Sequence, residues 1–153
     1  MIRNEAEYQE CIARLEQDRQ HLAHQREALV EAGLTAKQID KALEPAISFH
    51  EQLQEEVEWY EKIKRRDFGE IQKLTHLGQL LIALRIANSL SQQDLAQKLE
   101  VSASQVSRDE RNEYRGITIE RAQRILDAMN EEIVSRVVDK DLGPERLVAA
   151  GSR

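Results

Sequence analysis

The chain has 153 residues, 41% of them apolar and only 4% aromatic, and carries a net charge of −6. No stretch approaches the ~20 apolar residues that span a bilayer, and the polar opening MIRNEAEYQE is unlike a secretory leader. With a single cysteine, Cys11, no internal disulfide can form, so the reading is a cytoplasmic protein without membrane contact.

Two prolines, six glycines and an abundance of Leu, Ala, Glu, Gln and Arg point to an all-α fold. The length suits one compact domain, or a small domain with a helical extension. The acidity is uneven. Residues 1–75 hold 11 basic and 16 acidic side chains, residues 76–130 hold 7 of each, and residues 131–153 hold 4 and 5. A nucleic-acid interface needs a local positive patch rather than a basic whole, so this distribution leaves room for one after residue 75.

In chain order, Asn4 to Ala32 reads as a long amphipathic helix. Tyr8, Leu15, Leu22 and Leu29 recur every seven residues, Cys11, Ile12 and Val30 widen the stripe, and Gly33 caps it. A second helix starts with Thr35 as N-cap and carries Ile39 and Leu43. Pro45 predicts a kink or restart. Beyond it Ala46, His50, Leu53, Val57, Tyr60 and Lys64 step 4-3-4-3-4, flanked by Phe49, Trp59 and Ile63. The pattern is that of an antiparallel helical hairpin, or of half a bundle completed by a partner chain.

Asp67–Gly69 marks a break, followed by a short helix Glu70–Leu74. Thr75 then caps a helix from His76 to about Asn88. Leu77, Leu80, Leu81, Ile82, Leu84 and Ile86 make it apolar on nearly all sides, so the hairpin or a second subunit must cover it. After Met129, Glu132–Asp139 reads as a strand or as continuing helix, and Pro144 opens a last short helix, Glu145–Ala150.

The segment 90–111, LSQQDLAQKLEVSASQVSRDER, has a different character. Ser91 with Asp94 approximates a capping box, so a helix begins at Gln92. Leu95 and Leu99 point inward, and Ala96 is small where another helix crosses. A turn at Leu99–Ser102 leads to a second short helix capped by Ser102 and anchored by Val106. Two short helices, a tight turn and a small residue at the crossing form a helix-turn-helix.

Over about residues 76–130 the chain resembles the Cro and phage-repressor (XRE) family of DNA-binding domains. Leu90–Ala96 (LSQQDLA) is similar to that family's second-helix start. Val101–Glu110, with Ser102, Val106 and Ser107, is similar to its recognition helix, and Arg85 matches its first-helix arginine. The resemblance implies a lambda-repressor-like domain of five helices, at 76–88, 92–99, 103–111 and near 118–129, with the fifth open to replacement in this chain. It implies that Ala103, Ser104, Ser107 and Arg108 face base edges, with Arg108 the guanine reader. Gln92, Arg111, Asn112, Tyr114 and Arg115 would hold phosphates, and Arg85 and Glu110 would form an internal ion pair. Glu100 stands at the family's turn glycine, and Asp109 stands where an apolar or aromatic residue is usual.

The domain layout that follows is a helical hairpin at 1–68, the DNA-binding domain at 69–130 and a tail at 131–153 that serves dimerisation. The expected function is a sequence-specific transcriptional regulator, a homodimeric repressor on double-stranded DNA. A shorter resemblance, in the opening MIRNEAEYQ and in Leu53–Tyr60, is to HigA-like antitoxins, which implies a protein toxin as an alternative partner. His21 and His24 lack a third ligand at metal spacing, so they read as a solvated face and no metal or cofactor is expected. His50 reads as a hydrogen-bonded seam histidine. No phosphate-cradling glycine loop or nucleophile motif occurs, and no enzyme is expected.

Overall fold

A computed structural model describes residues 1–71 and 73–135. Among them the chain is all-helical. The helices are α1 (Glu5–Glu31), α2 (Ala36–Lys64), α3 (Leu77–Ala87), α4 (Gln92–Lys98), α5 (Ala103–Arg111) and α6 (Ile119–Met129), with a 3₁₀ turn at Leu74–His76.

The long pair forms as its end signals dictate. Asn4 accepts from the Glu7 backbone N–H and starts α1. Gly33, left-handed at φ +78°, ends it, with its own N–H on Val30 and that of Leu34 on Leu29. Thr35 and Gln38 form a capping box for α2. Contrary to the expected restart, α2 runs unbroken through Pro45. Proline removes one backbone hydrogen bond, at a cost of about 3 kcal/mol. The helix continues because its own Ile39 and Leu43 on one side of Pro45, and Val57, Tyr60 and Ile63 on the other, are all buried.

Antiparallel packing of α1 on α2 is fixed at the base by two tyrosines. Their rings stack at 4.9 Å, Tyr8 donates to Glu61 at 2.8 Å, and Tyr60 donates to Glu5 at 3.3 Å. Near the tip, Arg26 pairs with Asp40 at 3.2 Å. His50 does not make the hydrogen bond expected of it. Its Nδ1 is buried without a partner.

Two further expectations fail in the connection. Among the described residues of the span Glu70–Leu74 no α-helix forms, and Thr75 is not a cap. The 3₁₀ turn closes instead through the N–H of His76 on the Lys73 carbonyl, 2.9 Å, so α3 begins at Leu77 behind His76 and has no side-chain cap.

The apolar excess of α3 is met by the hairpin of the same chain. Leu81, Ile82, Leu84 and Ile86 share one core with Ile2, Val57, Tyr60 and Ile63 on one side, and with Leu95, Val106, Ile125, Leu126 and Met129 on the other. Gly78 is buried where α3 meets the loop after α5. A Cβ there would lie 1.9 Å from the Glu113 carbonyl oxygen. Asn130, left-handed at φ +56°, ends α6. Residues 131–135 form no regular structure, so the expected element at Glu132–Asp139 is absent as far as Ser135. The remainder of that element and Glu145–Ala150 lie outside the described residues.

Candidate nucleic-acid interface

The α4–turn–α5 unit is built by its caps. Ser91 and Asp94 cap each other, the Asp94 N–H donating to Ser91 Oγ at 3.0 Å and the Ser91 N–H to Asp94 Oδ2 at 2.8 Å. The Ser91 hydroxyl also donates to Asp94 Oδ2 at 2.6 Å, and this bond together with that from the Ser91 N–H holds the Asp94 carboxyl below the usual carboxylate range. Leu95 and Ala96 are buried against the core. The turn bends through Glu100, left-handed at φ +56°, and is locked by the Val101 N–H on the Ala96 carbonyl at 3.0 Å. A non-glycine residue there costs about 1 kcal/mol, the strain that Glu100 implies in the sequence. Ser102 then caps α5 by accepting from the Gln105 N–H.

Helix α5 divides sharply. Val106 and Glu110 are buried, while Ala103, Ser104 and Arg108 are exposed and Ser107 is half-buried. The four residues expected at base edges therefore include three on the open surface. Arg108 lies back along its own helix, its Nε donating to the Ser104 carbonyl at 3.3 Å. Of the residues expected at phosphates, Arg111, Asn112 and Arg115 are exposed in and after the last turn of α5. Arg115 approaches Glu113 at 3.7 Å in an open pair.

Tyr114 departs from that expectation. Its side chain is 6% exposed and its hydroxyl is buried without a partner. It adopts a left-handed conformation directly after the left-handed Glu113, φ +51° at each, and this turns the ring into the core. Tyr114 is thus a core residue of the loop rather than a phosphate ligand. Burial raises its phenol far above the ordinary range.

Behind this surface lies the expected ion pair. Arg85 and Glu110, 2% and 0% exposed, meet in a fork, Nη2 to Oε2 at 2.8 Å and Nε to Oε1. The guanidinium also donates to the carbonyls of Leu90 at 2.7 Å and Arg3 at 3.2 Å. Gln92, at the start of α4, donates to Glu110 Oε2 at 2.8 Å. Its side chain is half-buried, with Nε2 engaged by the pair. Asp109, the other departure from the family pattern, finds a cation in place of an apolar neighbour, bonding Arg121 of α6.

Sequence reasoning misses Gly78, the Arg3 carbonyl and Arg121. The odd carboxylate at 109 is the one sequence signal that a cation had to stand opposite. Among the described residues, no group of His, Cys, Asp or Glu side chains is arranged to hold a metal, and no helix is long and apolar enough to cross a membrane.

Residues 81–134 match the family described as helix-turn-helix. No curated protein and no solved structure gave a match to the chain. With α4, the turn and α5 inside the matched span, this chain carries a helix-turn-helix domain of the Cro and phage-repressor (XRE) type, the domain of DNA-binding transcription regulators.

Proposed function

We propose that the protein is a sequence-specific repressor that binds double-stranded DNA as a homodimer, with α5 in the major groove. The observation that carries this is the division of α5, which fixes Val106 and Glu110 inside while leaving Ala103, Ser104 and Arg108 open. Small side chains at 103 and 104 let the helix approach base edges closely. Arg108, released from a long bond to its own helix, reaches guanine O6 and N7. Arg111, Asn112 and Arg115 hold the flanking phosphates. One such helix reads few base pairs. Two copies with half-sites about one helical turn (~34 Å) apart supply the rest. The hairpin at 1–68 and the tail at 131–153 are the surfaces that would join them. Exposed Ile133 and Val134 at the start of the tail are consistent with that role.

Titration of labelled DNA from the protein's own upstream region, at several salt concentrations, tests the reading. Saturable binding that weakens as salt rises, and that discriminates against unrelated duplex, is expected. A folded protein that binds no duplex at low salt would overturn it.

A second reading, an antitoxin that covers a toxin with its hairpin, is favoured by Val30 and Phe49, which are 59% and 48% exposed on α1 and α2. A small basic protein encoded beside this gene that co-purifies with the chain would support it. Loss of that co-purification in Phe49→Asp would place the contact on the hairpin.

A further inference from the structure

The opening residues of the chain sit inside the DNA-binding domain. Ile2 is 2% exposed and lies in the same core as Leu81, Leu95 and Val106. The next residue gives its carbonyl to Arg85 Nη2 at 3.2 Å. Arg85 grips Glu110 through the fork, and Glu110 Oε2 receives Gln92 Nε2 at 2.8 Å. One unbroken path of hydrogen bonds therefore runs from residue 3 to residue 92.

The segment is held in place from the hairpin side as well. The Arg3 N–H donates to Glu7 at 2.8 Å, Asn4 caps α1, and Glu5 receives the Tyr60 hydroxyl. A guanidinium is a rigid planar fork, so its acceptors together set its plane. The carboxylates and carbonyls around Arg85 are Glu110, Leu90 and Arg3, and the last of these lies outside the matched span 81–134. The orientation of Arg85 fixes the plane of Glu110. That plane decides where the Gln92 carboxamide is held at the start of α4.

We infer that Ile2–Arg3 is a positioning element of the DNA-binding surface, acting through Arg85 and Glu110 to aim Gln92 at a phosphate. The inference rests on the reading that Gln92 meets DNA. In this chain the helix-turn-helix is completed by the residues just before the hairpin's first turn. The hairpin is thereby tied to the contact surface by two consecutive residues, Ile2 and Arg3.

The test uses the full chain in four forms: unaltered, Ile2→Ala, Gln92→Ala and the double variant. Affinity is read by fluorescence anisotropy on a generic duplex at low salt, where a phosphate contact counts whatever the sequence. Each single variant is expected to weaken binding by about fivefold, roughly one hydrogen bond of ordinary net strength. The double variant is expected to bind no worse than Gln92→Ala. Multiplying losses, or a folded Ile2→Ala that binds as the unaltered chain does, overturn the positioning role while leaving DNA binding intact. A Gln92→Ala variant with full affinity removes the phosphate reading of Gln92, and the inference with it.

The side-chain amide resonance of Gln92 gives a readout independent of DNA. It is expected to shift in Ile2→Ala. If that variant does not fold, Glu7→Ala carries the test, since it cuts the Arg3 N–H anchor at an exposed position without touching the core. An unmoved Gln92 resonance in Glu7→Ala overturns the inference.

Discussion

Replacing Gly78 by alanine sets two effects of opposite sign against each other. Gly78 is in the first turn of α3, where glycine is unfavourable. On helix propensity alone, alanine would stabilise the protein by about 1 kcal/mol. The added methyl, however, would lie 1.9 Å from the Glu113 carbonyl oxygen and 2.7 Å from its carbon. Ordinary carbon–oxygen contact needs more than ~3 Å, so one backbone must retreat by over ~1 Å. Neither side gives easily. α3 is clamped between the hairpin and α6, and the Glu113–Tyr114 pair is already held left-handed with Tyr114 in the core. Overpacking against backbone belongs at the upper end of the about 1–3 kcal/mol typical of such changes, or beyond it. The net expectation is a loss of about 2–3 kcal/mol, measured by urea denaturation with the slope unchanged. Because the displaced loop leads into Arg115, DNA affinity should fall as well. A Gly78→Ala protein as stable as the original, or more so, would refute the close approach of α3 to the loop.

Further outcomes are expected. Pro45→Ala restores a backbone hydrogen bond at an exposed position of an unbroken helix, and should raise stability by about 1–3 kcal/mol in the same denaturation assay. Glu110→Ala strands a buried guanidinium and should cost about 3–5 kcal/mol, whereas Arg108→Ala should leave the denaturation midpoint unchanged and reduce discrimination between DNA sequences. Arg115→Ala should weaken binding to all duplexes alike and flatten its salt dependence. In alkali the protein should lose stability. Burial pushes Tyr60 up to about 12 and Tyr114 higher still, and the Glu61 hydrogen bond raises Tyr8. A phenol whose folded value exceeds its unfolded value near 10 stabilises the fold below that pH and loses the contribution as pH climbs toward the folded value. Absorbance at 295 nm should accordingly show phenolate appearing together with unfolding above pH 10, and Tyr60→Phe should move that transition upward.

Much of the fold is legible in the sequence because its signals are local. Gly33, Thr35, Ser91 and Ser102 each mark a helix end through bonds to residues a few positions away, and the structure uses every one. The restart expected at Pro45 does not occur because the local rule states the cost of proline and not the packing that outweighs it. Thr75 misleads for a related reason: a hydroxyl before an apolar run resembles a cap, but a 3₁₀ turn already occupies that stretch. The surface of α5 is readable as the polar side of a short amphipathic helix. Tyr114 is not, because its burial depends on two successive left-handed residues in a loop, and neither Glu113 nor Tyr114 advertises that conformation. The coverage of α3 is half-legible. Its apolar excess demands a partner, but the sequence does not say whether that partner belongs to the same chain.

The seat of Ile2 has a bearing on how the protein folds. Ile2 is synthesised long before Leu81, yet the two end in one core. Joining them closes a loop of about 80 residues, an entropic cost that grows only slowly with length but is met before the contact offsets it. The hairpin can form early from neighbouring turns, held by the Tyr8–Tyr60 stack. The first residues must then wait for a slot that does not yet exist. Their docking belongs after the main folding barrier, so substitutions at Ile2 should hasten unfolding and leave the refolding rate nearly untouched.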